Sequence, residues 1–344
     1  MSFVPINAED FVISADSITS TLWSNNATTL TTFTAGTPAT NNAYLPVYGV
    51  STITNTDSPQ FTISYGHVNG TGSAPINPTI PNLTTSRITY GQFRTLVNGD
   101  ENTNFNFGTG NTNSPDIFVL NISRANYKEK LFLSTFNLTL SSSTNTINLT
   151  NNSVDVTTLS YCDAGRIFDI VSGSNGSATT LIPLGSSAAG YTPSGSYGKF
   201  LPDVGLVILN PQALTLSAAN GGIDLSIPTS NNSSNLGTIN TNLLDAINKG
   251  SSVGGFKLNS EETITSDYIF VRIKNSDFNY TTNPSMISGS GDFNFPSLVN
   301  NPQTYITTVG MYNDNNELLA VAKLSKPLVK DFTKEALIRV KLDF

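Results

Sequence analysis

Apolar and polar residues alternate along the chain in many short runs. Clusters of Gly, Pro, Asn or Ser bound most of these runs, as expected of half-buried antiparallel strands. The pattern predicts an all-β fold, with antiparallel β-sandwich domains, long polar loops and very little helix. The predicted strands are residues 43–51, 60–68, 86–97, 116–122, 131–141, 166–171, 201–209, 268–274, 305–312, 318–324 and 336–344.

Helical spacing is confined to short stretches. Leu243, Leu244 and Ile247 are spaced by one and three residues, which predicts a helical turn or two at 242–248. A second helical turn is predicted at 331–337. Three polar stretches are longer than ordinary connections in a compact domain, and we expect them to be contact arms or plain surface loops. They are residues 68–85, 172–196 and 229–241.

A hairpin is predicted near the end of the sequence. Residues 305–312 alternate with period two, so that Tyr305, Thr307, Val309 and Met311 are predicted to share one face. The sequence Asn313-Asp314-Asn315-Asn316 then favours a tight turn, because these residues tolerate turn geometry. The returning strand is residues 318–324.

The closing strand is amphipathic. Its apolar residues share one face, and Arg339, Lys341 and Asp343 share the other. Six of the 17 basic residues lie between Lys323 and Lys341, where they form either a solvated strand face or a contact with an acidic partner subunit. We interpret the hairpin and closing strand as the candidate assembly contacts. They are Tyr305, Met311, Tyr312, Leu318, Lys323, Arg339, Lys341 and Phe344.

The composition points to protein contacts rather than chemistry. Asn, Ser and Thr occupy 125 of the 344 positions, and only 12% of residues are charged, against ~25% in typical soluble proteins. The 19 Phe and 12 Tyr residues are enough to build a core, so disorder is not expected. Hydroxyls and amides desolvate more cheaply than charges when a neighbouring subunit covers them. Large contacts with other subunits are therefore plausible for such a surface.

Charge and cysteine content narrow the partners and the compartment. The net charge of −7 and the pI near 4.7 disfavour nucleic acid as a partner. The single cysteine excludes an intramolecular disulfide. The first residues lack the pattern of a secretory signal, and no run of about 18 apolar residues occurs. We expect synthesis and assembly in a cytoplasm, with no membrane partner.

Few residues are suited to catalysis. His67 is the single histidine, so any Ser-His-Asp or Cys-His system would require it; its position at a predicted strand end favours a structural role. Asp100-Glu101 and Glu261-Glu262 are adjacent pairs, and adjacent strand residues point to opposite faces. Neither pair therefore matches the facing carboxylates of a glycoside hydrolase. We expect a protein that is not an enzyme.

Metal and nucleotide motifs are equally weak. The oxygen-rich sequence from Asn313 to Glu317 lacks the spacing of an EF-hand loop, and a hairpin turn explains it better. Gly198-Lys199 is followed by Phe200, whereas a phosphate-binding loop needs Ser or Thr there. We expect no cofactor and no metal.

Four passages carry a resemblance to a known group of proteins. They are Ser86-Arg87-Ile88-Thr89-Tyr90-Gly91-Gln92-Phe93-Arg94, residues 116–131, residues 270–284 and residues 305–344, the last with Val309-Gly310-Met311-Tyr312-Asn313 at its centre. These passages resemble virion structural proteins of T4-like myophages that infect marine cyanobacteria, and the final hairpin is similar to segments of baseplate and tail-fibre attachment proteins of contractile tails.

The resemblance implies a non-enzymatic structural subunit of a bacteriophage virion, in the tail, the baseplate or a fibre attachment. Its partners would be other virion proteins and copies of itself, in a symmetric homo-oligomeric assembly. A capsid decoration protein is one alternative. Another is a host-surface or carbohydrate-binding module, for which the aromatic pairs Phe105 with Phe107 and Phe293 with Phe295 are the best support.

The domain prediction follows from where these passages lie. We expect residues 1–115 and 266–344 to form one β-sandwich unit that includes the C-terminal hairpin and the final strand. Residues 116–265 would then be an inserted β domain with one short helix.

Overall fold

A computed structural model of the 344-residue chain describes residues 6–69, 84–108, 113–179, 189–228, 235–281 and 283–343. Most of the first predicted long loop, parts of the other two, and Phe344 lie outside the described residues.

The predicted fold class is confirmed. Strands make up 42% of the residues and helix 19%, and the large sheets are antiparallel. In the described ranges the helices are α1 (Thr85–Asn98), α2 (Pro211–Leu214), α3 (Asn235–Ser251) and α4 (Pro296–Asn300). The strands in those ranges are β1 (Phe11–Thr21), β2 (Thr29–Leu30), β3 (Thr34–Ala35), β4 (Leu45–Tyr48), β5 (Phe61–His67), β6 (Phe105–Asn106), β7 (Asn113–Ser114), β8 (Asp116–Ile122), β9 (Lys130–Leu131), β10 (Asn137–Ser141), β11 (Thr146–Asn151), β12 (Ser160–Cys162), β13 (Gly165–Ser174), β14 (Ser177–Ala178), β15 (Gly198–Leu201), β16 (Leu206–Leu209), β17 (Phe256–Lys257), β18 (Asn259–Ile273), β19 (Thr304–Tyr312), β20 (Leu318–Lys330) and β21 (Ala336–Asp343).

The chain forms two compact units. The terminal unit comprises the described residues of Met1–Ser17 and Thr263–Phe344, and the central unit comprises those of Ile18–Glu262. Residues 18–115 thus belong to the same unit as the centre of the chain.

The central unit is built on one large curled sheet. Its strands follow the order β2-β17-β10-β11-β13-β15-β16-β8-β5-β4-β3. Phe256 of β17 and Phe61 of β5 are seven strands apart along this path, which would be roughly 33 Å in a flat sheet at about 4.8 Å per strand. Their ring centroids are 5.8 Å apart. The sheet must therefore curl so that strands near its two ends face each other across one core.

Helix α3 lies inside this curl, where it packs on β10, β5 and β4. Its buried side chains recur every three or four residues, at Leu236, Ile239, Leu243 and Ile247, and so form one apolar stripe. The turn predicted at 242–248 is helical, but the helix begins earlier than predicted. The Asn and Thr residues that precede the turn have weak helix propensity, so the sequence does not indicate a helix there, and packing against the sheet stabilises it instead.

The opposite face of the sheet is covered by α1, and the strand predicted at 86–97 is wrong. The Thr84 side chain caps the helix by accepting a backbone N–H at 3.4 Å, and Gly99 ends it in the left-handed region at φ 66°. Tyr90 is buried and Phe93 packs beside it in a second core. Capping and this helical spacing outweigh the strand propensity of the β-branched and aromatic residues.

The helical turn predicted at 331–337 is also wrong. The Asp331 carboxylate accepts hydrogen bonds from the backbone N–H of Thr333 at 2.9 Å and from its hydroxyl at 2.6 Å. Such local bonds compete with helix formation, and the chain turns directly into β21.

The terminal unit has two layers. One is a sheet in the order β1-β18-β21, and the other is the β19–β20 hairpin. Side chains from both layers form its core. The buried members among the described residues are Ile269, Ile273, Met311, Ile338 and Val340.

Candidate functional site

The outer face of the β19–β20 hairpin carries exposed apolar side chains. Gly310 pairs with Val321, Met311 with Ala320, and Tyr312 with Leu318. Because residues paired directly across two strands share a face, Met311 and Ala320 face the core while Val321 faces outward. Leu318, Leu319 and Val321 are at least half exposed. We call Leu318, Leu319 and Val321 the hairpin patch.

The predicted single face of β19 is wrong. The register is irregular between Ile306 and Thr308, where β19 advances by two residues while β20 covers five, from Leu328 to Lys323. The regular alternation of faces is broken at this point. Tyr305 is consequently exposed, whereas Met311 is 7% exposed and lies in the core. Of the candidate contacts on the hairpin, Tyr305, Tyr312, Leu318 and Lys323 are exposed.

A second surface lies on the outward face of the β18–β21 pair. Tyr268 pairs with Lys341, and Phe270 pairs with Arg339. The Arg339 guanidinium carbon is 5.5 Å and the Lys341 ammonium nitrogen 5.9 Å from the centroid of the Tyr268 ring, within reach of cation–π attraction. The structure thus brings together Arg339 and Lys341 from the candidate set, and adds Tyr268. Phe344 lies outside the described residues.

Electrostatic contacts hold this second surface in place. Lys341 Nζ lies 2.8 Å from a carboxylate oxygen of Asp343, and the Ser266 hydroxyl donates to the same oxygen at 2.7 Å. The hydrogen bond to Asp343, with the nearby Tyr268 and Asp16, raises the pKa of Lys341. The bonds from Lys341 and Ser266 lower the pKa of Asp343. Both groups therefore remain charged at neutral pH.

The strands of the terminal unit also leave backbone edges open. Among the described residues, β1 and β21 each pair with β18 alone, and β19 and β20 pair with each other. Open edges present unpaired N–H and C=O groups to any strand that approaches. Edge strand β1 further exposes Phe11, Val12 and Ile13, which the sequence reasoning missed although they form an apolar run near the start of the chain.

Buried polar contacts fix the loops of the terminal unit. Lys330 at the end of β20 is fully buried, and its Nζ donates to the Asn275 carbonyl at 2.9 Å and to Asn279 Oδ1 at 2.8 Å. At the other end of the hairpin, Asn313 Oδ1 accepts from the backbone N–H of Asn315 at 3.0 Å and of Glu317 at 2.8 Å. The oxygen-rich sequence there forms a hairpin turn.

The single histidine is half-buried beside a buried hydrogen-bond network. His67 pairs with Asp116 across β5 and β8, and its Nδ1 accepts from the Asn69 backbone N–H at 3.0 Å. Asp116 accepts from the Tyr65 hydroxyl at 2.9 Å and from Gln212 Nε2 at 3.0 Å. Burial lowers the pKa of His67, and the charge of Asp116 opposes that shift. The network ties β5, β8 and α2 together.

The acid pairs are used in ion pairing and loop structure. Glu262 lies 2.6 Å from Lys128 Nζ, and Glu261 pairs with Lys130 across β18 and β9. Asp100 accepts bonds from the loop that follows it. In the described part of the chain, no three His, Cys, Asp or Glu residues cluster closely enough to hold a metal ion.

The aromatic pairs divide between core and surface. Phe105 and Phe107 are buried and stack at 5.9 Å, so they offer no surface to a sugar. Phe295 is exposed, and Phe293 packs against Tyr280 at 5.3 Å.

Comparisons with known proteins identify no relative of this chain. Neither the family models nor the curated proteins match the sequence, and no solved structure matches the fold. Within the described residues, the helices are too short or too polar to cross a membrane.

Proposed function

We propose that the chain is a non-enzymatic structural subunit of a bacteriophage virion, and that it acts through contacts between subunits in the tail, the baseplate or a fibre attachment. The observation that supports the proposal best is the hairpin patch together with the open strand edges of the terminal unit. Contiguous exposed apolar side chains on soluble proteins commonly mark interaction sites. The resemblance of four passages to myophage virion proteins supplies the phage context.

The contact would have three components. Pairing of an open edge with a strand of a neighbouring subunit supplies main-chain hydrogen bonds. Burial of the hairpin patch supplies the apolar centre of the interface, at roughly 25 cal/mol per Å² removed from water. Arg339 and Lys341 lie on the outward face of β21, and charges at an interface rim contribute more to specificity and association rate than to affinity. A second copy or another virion protein would meet the same surface.

Sedimentation velocity of the purified chain tests the contact. We expect concentration-dependent association, and we expect Val321→Glu to abolish it because the substitution places a charge within the hairpin patch. Val154→Glu is the matched control, since Val154 is 63% exposed in the central unit and Val321 is 57% exposed in the hairpin. Equal association of the two variants would exclude the hairpin patch as the contact.

Particle location tests the phage assignment separately. Antibodies raised against the purified chain should label the tail or baseplate of purified virions from the source of the sequence. Label on the capsid would support the decoration alternative. Absence of the chain from the virions, checked by mass spectrometry, would overturn the proposal.

A further inference from the structure

A cavity of about 740 Å³ opens beside helix α1 and the loop that follows it in the central unit. This volume falls within the range of small-molecule sites, and the assembly contacts described above do not use it. Its polar lining includes two cations, three amides and one carboxylate. These groups are Arg87, Arg94, Gln92, Asn102, Asn104 and Glu101.

The two arginines project from nearly the same side of α1. They are seven residues apart, which is close to two helical turns and about 10 Å along the axis. The Arg94 guanidinium carbon lies 5.6 Å from the centroid of the Tyr90 ring. Its Nε is buried without a hydrogen-bond partner, and among the described residues no carboxylate forms an ion pair with it. Within the described part of the chain, a cation that has a fixed orientation and no ion-pair partner therefore lines the cavity.

The base of the cavity is rigid. The Tyr90 hydroxyl donates to the Ser114 carbonyl at 2.7 Å and accepts from the Phe105 N–H at 3.1 Å. The ring also meets Phe105 edge to face at 5.4 Å. Gly66 of β5 allows the close approach of α1, because a Cβ there would lie 2.7 Å from the Tyr90 backbone nitrogen. The support of Arg94 is thus fixed before any ligand arrives.

The facing wall is fixed as well. Asp100 accepts from the backbone N–H of Asn102 at 3.0 Å and of Thr103 at 3.1 Å. Asn98 Nδ2 at the end of α1 donates to the Thr103 carbonyl at 2.9 Å. These bonds hold the short loop that carries Glu101, Asn102 and Asn104 against the helix.

The lining selects a class of ligand. Guanidinium groups bind carboxylate, sulfate and phosphate through paired hydrogen bonds. Amides and a carboxylate can serve both the donor and the acceptor sides of hydroxyl groups. Among the lining residues the one aromatic side chain, Tyr90, is buried, so the cavity offers no exposed ring on which a base could stack, and this disfavours single-stranded nucleic acid. We propose that this cavity binds an anionic saccharide, with its acidic group at Arg94 and Arg87 and its hydroxyls at the amides.

Isothermal titration of the full chain tests the site. The probes are an oligogalacturonate, dextran sulfate, uncharged dextran and oligothymidylate, which separate carboxylate from sulfate and saccharide from nucleic acid. We expect an acidic saccharide to bind and uncharged dextran not to bind. Arg94→Gln should weaken binding about tenfold or more, and Arg94→Lys should weaken it less, because a lysine keeps the charge but loses the paired hydrogen bonds.

Lys249→Gln is the matched control, since it removes one exposed positive charge from the other long helix. It should leave affinity unchanged, and the fluorescence of Trp23 should verify folding of every variant. Equal binding of uncharged dextran, preferential binding of oligothymidylate, or equal affinity of Arg94→Gln and the parent would overturn the proposal. Sedimentation of Arg94→Gln should match that of the parent, so failure here is distinguishable from failure of the assembly proposal.

Discussion

The central unit and the terminal unit bury their apolar side chains to different extents. The central unit closes a sheet around α3 and fills it with large rings. Phe61, Phe136 and Phe256 are fully buried, and the ring of Phe256 contacts both of the others. Among the described residues of the terminal unit, the buried core consists of five side chains, none of them aromatic. The same unit exposes the hairpin patch and open strand edges. The contact between subunits that we propose is therefore expected in the terminal unit, where less apolar surface is buried within the chain.

The largest expected effect tests the core of the central unit. Phe61 contacts the rings of Trp23, Phe33 and Phe256, so Phe61→Ala should lower the free energy of unfolding by about 3–5 kcal/mol through lost burial and a cavity. Urea unfolding followed by fluorescence of Trp23, the single tryptophan, measures this loss. Leu319→Ala, at a side chain that is 68% exposed, should change the result by no more than about 0.5 kcal/mol. Comparable losses of unfolding free energy in the two variants would contradict the difference in burial between the core of the central unit and the hairpin patch.

The next effect tests the smaller core of the terminal unit. Ile338 is 9% exposed and its neighbour Leu337 is 62% exposed, so the two residues of one strand form a matched pair. Ile338→Ala should destabilise β21 by about 2 kcal/mol, at the lower end for a buried Ile, and should speed amide exchange of that strand roughly 30-fold. Leu337→Ala should leave exchange nearly unchanged. Faster exchange in both variants would show that the outward face is packed as well.

Alternation of apolar and polar residues correctly predicts strands that have one buried and one exposed face. It gives the wrong prediction where capping and tertiary packing determine the structure. Residues 45–48 and 338–342 alternate between more and less buried positions because each faces a core on one side. Residues 86–97 have strand-forming side chains, but the Thr84 cap, Gly99 and the packing of Tyr90 make them a helix. Such packing depends on residues distant in sequence, which no local pattern reveals.

The candidate surfaces, like the strands, could be predicted only in part from the sequence. Exposure of Tyr312 and Leu318 agrees with a hairpin that has one solvent face. Burial of Met311 depends on the irregular register between Ile306 and Thr308, opposite a segment of β20 that contains Pro327. A proline within a strand signals such an irregularity, but it does not tell which face the side chains beyond it take. The Arg94 cavity needs a helix, a loop and β5 together, so it could not be predicted without the fold.

A smaller effect tests how tightly the second face of the central sheet is packed. A methyl group at Gly66 would lie 2.7 Å and 3.0 Å from backbone atoms of Tyr90, whereas at Gly91 on α1 it would meet nothing within 4 Å. Gly66→Ala should therefore cost roughly 1–2 kcal/mol through overpacking. Gly91→Ala should stabilise by about 0.5–1 kcal/mol, because alanine favours helix. Changes of opposite sign in the free energy of unfolding, measured with urea, would support a tight contact between Gly66 and α1. Changes of the same sign in the two variants would contradict it.

The smallest effect compares one ion pair from each unit. In the central unit, Arg166 Nη2 lies 2.6 Å from Asp203, whose carboxylate also accepts from the Arg166 backbone N–H at 2.8 Å. In the terminal unit, Lys341 and Asp343 form an exposed pair. We expect a coupling of about 1 kcal/mol at pH 7 for the first pair in a double-mutant cycle of Arg166→Gln and Asp203→Asn, and none measurable for the second.

The pH dependence of that coupling follows from the pKa of Asp203. Burial raises this pKa, but the hydrogen bonds and charge of Arg166 outweigh burial and bring it below its usual value. A carboxyl with a lower pKa in the folded state stabilises the fold above its unfolded pKa of about 3.9 and loses that contribution as the pH falls through the folded pKa. Repeating the cycle at decreasing pH should therefore show the coupling shrink below about pH 4. A coupling that persists after Asp203 is protonated would mean that the neutral hydrogen bonds, and not the charges, stabilise this edge of the central unit.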